Sequence, residues 1–324
     1  MKNKILTKDA LIGLAVGDAF GVPLEFFTRK KVREADLKDM IRTWLGIFIP
    51  AGAWSDDTSM TIAEMDSIIQ NNGKIDYEDI MNNFIEWWYH GKYTSFGKAF
   101  GLGGIVGESL ERFQSGYPAL ECGGTDIMDN GNGSLMRIMP FSLFAIKMQM
   151  TEQETADFIG KASSVTHAHD ISKMGCFIYT EFLRNLSVSF NAKISYQQIL
   201  KIDYHKYFST EAINAYQKIL NPDFLNISDA EISEHNGYIV ATLESVLYSI
   251  LTTSDYESAL LKAISMGYDT DTIGGITGSI AGILYGYETI PARWLDELQK
   301  KSELEILAEK FDLLLKGSNY DKCK

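Results

Sequence analysis

Residues 266–286, MGYDTDTIGGITGSIAGILYG, set two aspartates directly ahead of Gly274, Gly278, Gly282 and Gly286, which recur every fourth residue. In a helix with 3.6 residues per turn that spacing lines the glycines along one face, where a neighbouring backbone can come close. A glycine inside a helix costs about 1 kcal/mol against alanine, so the pattern predicts a tight crossing that also fixes Asp269, Asp271 and Thr272 in space. Gly13, Gly17 and Gly21 repeat the spacing in a helix predicted over residues 8–21. The two glycine-faced helices stand at opposite ends of the chain and are natural partners. Their pairing favours one domain, residues 1–318, followed by a frayed tail at 319–324. If they cross, Asp18 and Glu25 come near Asp269 and Asp271. A buried helix crossing accounts for the glycines equally well without any chemistry.

The rest of the chain reads as all-α, since alternating strand patterns are almost absent. Helices are predicted behind Ser55–Thr58 to a stop at Gly73, from Asp76 to Gly91 and over 105–114. Thr151 with Glu154 forms a capping box for a helix to Ser164, and a long helix runs from the THAHD segment through Leu186. Further helices are expected at 237–253 and 256–267, after Pro291, and from a cap at Ser302 with Glu305 to Gly317, whereas 190–235 reads as peripheral. A net charge of −13 and a pI near 4.9 exclude a nucleic-acid or acidic-membrane surface. Cys122, Cys176 and Cys323 are odd in number and far apart, which suggests neither a disulfide framework nor a zinc site. The apolar run after Thr272 is shorter than the ~20 residues of a membrane span. Asp9 and Asp18 frame and interrupt the N-terminal apolar run, against a signal peptide. A cytoplasmic monomer is expected.

In WSDDT, Ser55, Asp56, Asp57 and Thr58 stand at a helix start, where one Ser or Asp is explained as a cap. Two adjacent aspartates exceed what a cap uses. Neither 43–73 nor 263–292 contains a Lys or Arg. Brought together, the four aspartates of the two segments would repel and raise one another's pKa values. Helix N-termini offset only about 0.3–1 kcal/mol each. Divalent cations resolve the conflict, and oxygen ligands from Ser55, Asp56, Asp57, Asp269, Asp271 and Thr272 suit Mg²⁺ or Mn²⁺ better than zinc. The oxygens outnumber one octahedral ion, which points to two. The alternative is two separate caps that never meet. TDIMDNGNGSLMRIMP (125–140) has the Asp, Asn and Gly density of a loop that offers N–H groups to an anion such as pyrophosphate, or of an ordinary connection. His167 and His169 diverge on a helix, so at least one is a hydrogen-bonding residue rather than a metal ligand.

Five motifs, GDAFGVPLE (17–25), WSDDT (54–58), GNGSLMR (131–137), THAHD (166–170) and DTDTIGG (269–275), follow in an order that resembles the ADP-ribosylglycohydrolases over most of the chain. The resemblance implies a compact all-α fold with two Mg²⁺ or Mn²⁺ ions in a central cleft. The implied activity is hydrolysis of the bond between ADP-ribose and a modified protein side chain, with an ADP-ribosylated protein or ADP-ribose derivative as partner. Carried over, the ligands are Ser55, Asp56, Asp57, Asp269, Asp271 and Thr272. Glu25, Asp56, Asp57 and Asp271 form the catalytic set, with Glu25 as general acid or base. His167 is expected to contact the ligand, and the loop from Asp129 and Asn130 through Gly131, Asn132, Gly133 and Ser134 to cradle ribose and pyrophosphate. Phe100, Gly101 and Gly103 belong to a second substrate loop. Two departures stand out: Ser55 replaces a usual Thr, and Gly101 replaces an Asp usual in arginine-specific members and resembles the serine-specific branch. The linkage, arginine or serine, stays open. A catalytically impaired ADP-ribose-binding protein and a metal-dependent phosphoesterase are the competing readings.

Overall fold

The computed structural model describes residues 6–234 and 237–317. Among them, fifteen helices follow in order: α1 (Thr7–Gly21), α2 (Arg29–Ala35), α3 (Asp56–Gln70), α4 (Tyr77–His90), α5 (Gly104–Gln114), α6 (Met139–Lys147), α7 (Glu152–Ser164), α8 (Asp170–Ser189), α9 (Ala192–Ile199), α10 (Thr210–Ala215), α11 (Ile239–Thr252), α12 (Tyr256–Ile264), α13 (Thr270–Tyr285), α14 (Ala292–Glu297) and α15 (Lys301–Gly317). The sheet content is one antiparallel pair, β1 (Thr43–Trp44) and β2 (Phe48–Ile49), with Trp44 opposite Phe48. The expected frayed tail at 319–324, and Cys323 with it, lies outside the described residues. Cys122 and Cys176 are buried free thiols. No described helix is long and apolar enough to cross a membrane.

The glycine faces of α1 and α13 meet, and the contact is main chain against main chain. A Cβ on Gly13 would lie 2.2 Å from the Gly278 carbonyl oxygen, and one on Gly282 would lie 2.0 Å from that of Asp9. At the cleft end, a Cβ on Gly21 would fall 2.4 Å from the Asp271 backbone nitrogen, and Thr270 Oγ1 donates to the Gly21 carbonyl at 2.8 Å. No side chain could separate these helices without moving the aspartates they carry.

Three expectations are corrected. Gly286 is not part of the stripe: it ends α13 with φ +97°, a left-handed turn that suits glycine. Asp271 lies in the first turn of α13, with only Asp269 ahead of the helix. Ser302 does not cap α15, which already includes it; Glu305 instead accepts from the Tyr287 hydroxyl at 2.9 Å and pairs with Lys8 at 3.1 Å.

A large apolar core runs through nearly all the helices, and a small satellite of Val22, Ile49 and Ala53 supports Leu45, Ile47, Phe96 and Phe100 beside the cleft.

Candidate functional site

Two helix starts face each other across the α1–α13 crossing, and neither is capped by its own side chain. Ser55 and Asp269 occupy the N-cap positions of α3 and α13 without a side-chain cap bond. Asp18, projecting from α1, does the work at α3. Its carboxylate accepts from Ser55 N (2.9 Å), Ser55 Oγ (2.9 Å), Thr58 N (3.0 Å) and Thr58 Oγ1 (2.6 Å). Ser55 Oγ also lies 3.0 Å from Asp57 Oδ2, and one hydroxyl hydrogen cannot serve both carboxylates at once. Asp269 Oδ2 accepts from Asn132 Nδ2 at 2.7 Å, which ties the glycine-rich loop to the start of α13.

The carboxylates of Asp18, Asp57 and Asp271 each present an oxygen within 4.8 Å of the others, all buried. Thr272 Oγ1 is 3.4 Å from Asp57 Oδ2, and the Thr272 N–H donates to Asp271 Oδ1 at 3.0 Å. Burial first, and the neighbouring carboxylates second, push the Asp56, Asp57 and Asp271 carboxyls well above the usual range. Asp18 is raised to about 6 by burial, against the pull of its four hydrogen bonds. Glu25 reaches about 8, again through burial and then the charges of Asp269 and Asp18. These groups cannot all ionise without positive charge among them. Asp57 Oδ1 is buried with no hydrogen-bond partner, an expensive state for a carboxylate oxygen. An orphaned oxygen within an all-oxygen donor set fits a hard divalent cation.

A cavity of about 690 Å³ opens over this cluster. Glu25, Asp56, Asp269, Asp271 and Thr272 form one wall, Phe100, Gly101 and Gly103 a second, and Gly131, Asn132 and Gly133 a third. Ser55 and Asp57 lie buried and outside that lining. Gly101 adopts φ +86°, and a Cβ there would come within 2.4 Å of Asp56 Oδ1. Glycine is what lets this loop rest on the carboxylate.

The 129–134 loop divides between cleft and interior. Gly131, Asn132 and Gly133 face the cavity. Asn130 turns inward, accepting from Ser172 N and Oγ at 3.1 and 2.9 Å, and Asp129 accepts from Asp126 N in a local capping box. Ser134 is buried against Ser163 at 3.0 Å. These three brace the loop and do not line the cavity. His167 sits behind the same loop, its Nδ1 2.9 Å from Thr166 Oγ1, and burial followed by the Arg137 charge pushes its pKa down to about 3. His169 caps α8, accepting from Ile171 N at 3.3 Å, and lies 3.0 Å from Asn130 Nδ2.

Sequence reasoning left out two features. The role of Asp18 at α3 is one; an aspartate inside an otherwise apolar, glycine-faced helix must find buried partners, and that is the signal that points to it. Phe26 and Tyr268, next in sequence to Glu25 and Asp269, both adopt left-handed φ values, +65° and +64°. They are joined through Phe26 N to Tyr268 O at 2.7 Å and Tyr268 N to Phe27 O at 2.6 Å. Strain of this kind persists only where surroundings enforce it. Here it turns the two acidic neighbours toward the cavity, and no sequence pattern announces it.

The chain matches the profile of the ADP-ribosylglycohydrolase family over residues 4–321. It is 30% identical over 305 residues to an ADP-ribosylarginine hydrolase of Serratia proteamaculans, spanning 93% of this chain and 77% of that one. It is 25% identical over 301 residues to the ADP-ribosyl-dinitrogen reductase glycohydrolase of Rhodospirillum rubrum, spanning 92% and 91%. A solved structure, an ADP-ribosylglycohydrolase-related protein complex, superposes with a TM-score of 0.76 at 25% identity, over 97% of this chain and 100% of the other.

Proposed function

The chain belongs to the ADP-ribosylglycohydrolase family and is an enzyme that removes ADP-ribose by hydrolysis; from that premise we propose a reaction dependent on two Mg²⁺ or Mn²⁺ ions that frees a modified protein side chain. The observation that carries this reading is the convergence of Glu25, Asp56, Asp269 and Asp271 on one cavity above the buried Asp57, from segments some two hundred residues apart.

Ser55, Asp56, Asp57, Asp269, Asp271 and Thr272 would hold the ions, which supply charge that orients the ribose hydroxyls and acidifies a water. Asp18 holds Ser55 and Thr58, and so the start of α3, in the position this requires. The N–H groups of the loop at 131–133 are placed to answer the pyrophosphate charge, which lets an acidic protein take an anionic ligand without a basic patch. The bond from the anomeric carbon to the acceptor nitrogen or oxygen breaks, water adds to that carbon, and the acceptor atom leaves with a proton. Glu25, half-buried at the cavity wall with a raised pKa, exchanges that proton with the water or the leaving atom.

The curated relatives named for arginine linkages support an N-linked substrate. Gly101, whose φ of +86° and close rest on Asp56 disfavour a side chain, supports an O-linked one through its resemblance to the serine-specific branch. We favour the O-linked reading, because it rests on a residue of this chain. Incubation with arginine-, serine- and O-acetyl-linked ADP-ribose in Mg²⁺ decides between them: free ADP-ribose should appear from the serine-linked substrate and vanish in EDTA. Undiminished release by metal-stripped protein would overturn the mechanism, and AMP as product would indicate a phosphoesterase instead.

A further inference from the structure

Behind the glycine loop lies a fully buried ion pair that the mechanism above does not use. Glu64, two turns along α3 from Asp57, is paired with Arg137, and both side chains are 0% exposed. Arg137 also donates through Nη2 to Thr166 Oγ1 at 2.7 Å and to the Ala162 carbonyl at 3.2 Å, and its guanidinium lies 5.2 Å from the centre of the Phe84 ring. Thr166 Oγ1 in turn contacts His167 Nδ1 at 2.9 Å. A continuous chain of contacts thus runs from α3, which carries Asp56 and Asp57, to the histidine behind the 131–133 loop.

The direction of the hydrogen bonds in that chain is fixed by what each group can do. A guanidinium has only donors, so Thr166 Oγ1 must accept from Arg137. Its own hydrogen is then free, and His167 Nδ1 is the one acceptor it meets among the described residues. Were Nδ1 protonated, the Thr166 hydroxyl would accept twice and leave its hydrogen buried without a partner, since Thr166 is 0% exposed. That arrangement strands a buried donor, which settles the tautomer. We propose that the Glu64–Arg137 pair acts through the Thr166 hydroxyl as a positioning device, holding neutral His167 with its proton on Nε2 as a hydrogen-bond donor toward the cleft.

The place of Nε2 supports this. It has no hydrogen-bond partner among the described residues, and a Cβ on Gly131 would lie 3.2 Å from it, while one on Gly133 would lie 2.8 Å from Cε1. Both glycines line the cavity, so the loop is bare of side chains where the ring edge comes up behind it. The burial and nearby Arg137 charge that push the ring's pKa down keep it neutral, and therefore a donor of one fixed hydrogen. The acceptor is an oxygen of the ligand's ribose or pyrophosphate; that last step alone rests on the proposed function.

The test is a long-range ¹H–¹⁵N correlation spectrum of ¹⁵N-histidine-labelled protein at pH 7 without ligand, with His167 assigned by its loss in His167→Gln. The expected result is a protonated Nε2 and an unprotonated Nδ1. In Thr166→Val the ring should become a mixture of tautomers or switch, and calorimetric titration with ADP-ribose should show affinity reduced about tenfold, the loss of one hydrogen bond of roughly 1.4 kcal/mol. Thr166→Ser should restore both. A wild-type ring carrying its proton on Nδ1, or a Thr166→Val ring still wholly protonated at Nε2, overturns the proposal. A protein that shows the Nε2 proton but binds no ADP-ribose would instead defeat the functional reading and leave the tautomer standing.

Discussion

Gly17 of α1 and Gly274 of α13 touch main chain to main chain: a Cβ on Gly17 would sit 2.0 Å from the Gly274 carbonyl oxygen, and one on Gly274 would sit 2.4 Å from that of Gly17. Asp18 is the next residue on one helix and Asp271 lies one turn before Gly274 on the other. The separation of the two backbones is therefore also the separation of two members of the acidic cluster.

Gly17→Ala should push the helices apart and lower stability by about 3 kcal/mol, the upper range for overpacking against a backbone that cannot yield. Because the shift spreads the carboxylates, the Mg²⁺ concentration needed for half-maximal activity should rise as well. Gly160→Ala in α7 is the control. A Cβ there meets only the Lys173 side chain, Cδ at 3.7 Å and Cγ at 3.9 Å, so alanine's better helix propensity should add about 0.5–1 kcal/mol. Urea denaturation of the two variants checks both signs.

Stability without cations should fall as pH rises. The folded chain holds protons on Asp56, Asp57, Asp271, Asp18 (to about 6) and Glu25 (to about 8) that an unfolded chain releases near pH 4. Where the native state binds more protons, unfolding becomes easier with each step up in pH. The penalty is absent below about pH 4 and grows through the folded pKa values, so the window is about pH 4 to 8. In EDTA the calorimetric melting temperature should drop by several degrees between pH 5 and pH 8. Added Mg²⁺ or Mn²⁺ should raise it far more at pH 8 than at pH 5. A melting temperature in EDTA that stays level over that range would contradict the electrostatic account of the cluster.

Asp271→Asn separates stability from activity. It removes one of the mutually repelling acids, so the cation-free protein should melt higher than wild type at pH 8. The same change removes a proposed ion ligand, so release of ADP-ribose and the thermal response to Mg²⁺ should both be lost. Glu25→Gln should behave differently: kcat should fall by about 10²–10⁴-fold, the usual range for a lost acid or base, while calorimetric affinity for ADP-ribose stays within a few-fold of wild type. Equal losses in kcat and affinity would make Glu25 a binding residue only.

Much of this site was legible because its parts obey local rules. Glycines at every fourth position mean one helical face, and two aspartates at each of two helix starts mean more acid than capping needs. The all-α class followed from the near absence of alternating strand patterns. What the sequence hid was non-local or conformational. Asp18 takes over the capping of a helix 37 residues away, and nothing local says that Ser55 will surrender that role. Asn130 and Ser134 belong to the same short motif as Gly131 and Gly133, yet turn inward because partners on α7 and α8 take up their side chains. The left-handed backbone at Phe26 and Tyr268 goes with the bridge between Phe27 and Tyr268, into which Phe26 N also donates, against the preference of both residues.

Gly101 gives the sharpest separation of the two linkage readings. Its φ of +86° already disfavours any side chain, and an added Cβ would stand 2.4 Å from Asp56 Oδ1. Gly101→Asp must therefore either move the loop or displace the Asp56 carboxylate, and it brings a further negative charge into the cluster. Backbone strain of about 2–3 kcal/mol converts to a loss of roughly 30- to 150-fold in kcat/KM. That loss should appear on the preferred substrate, with no cleavage of arginine-linked ADP-ribose gained. Gly101→Ala should fall in the same direction by less, since it adds the strain without the charge. Steady-state kinetics on the linkage panel compare the three proteins directly. Robust arginine-linkage cleavage by Gly101→Asp would mean that the loop yields and Asp56 holds, and that this one position, rather than the surrounding cleft, sets which bond is cut.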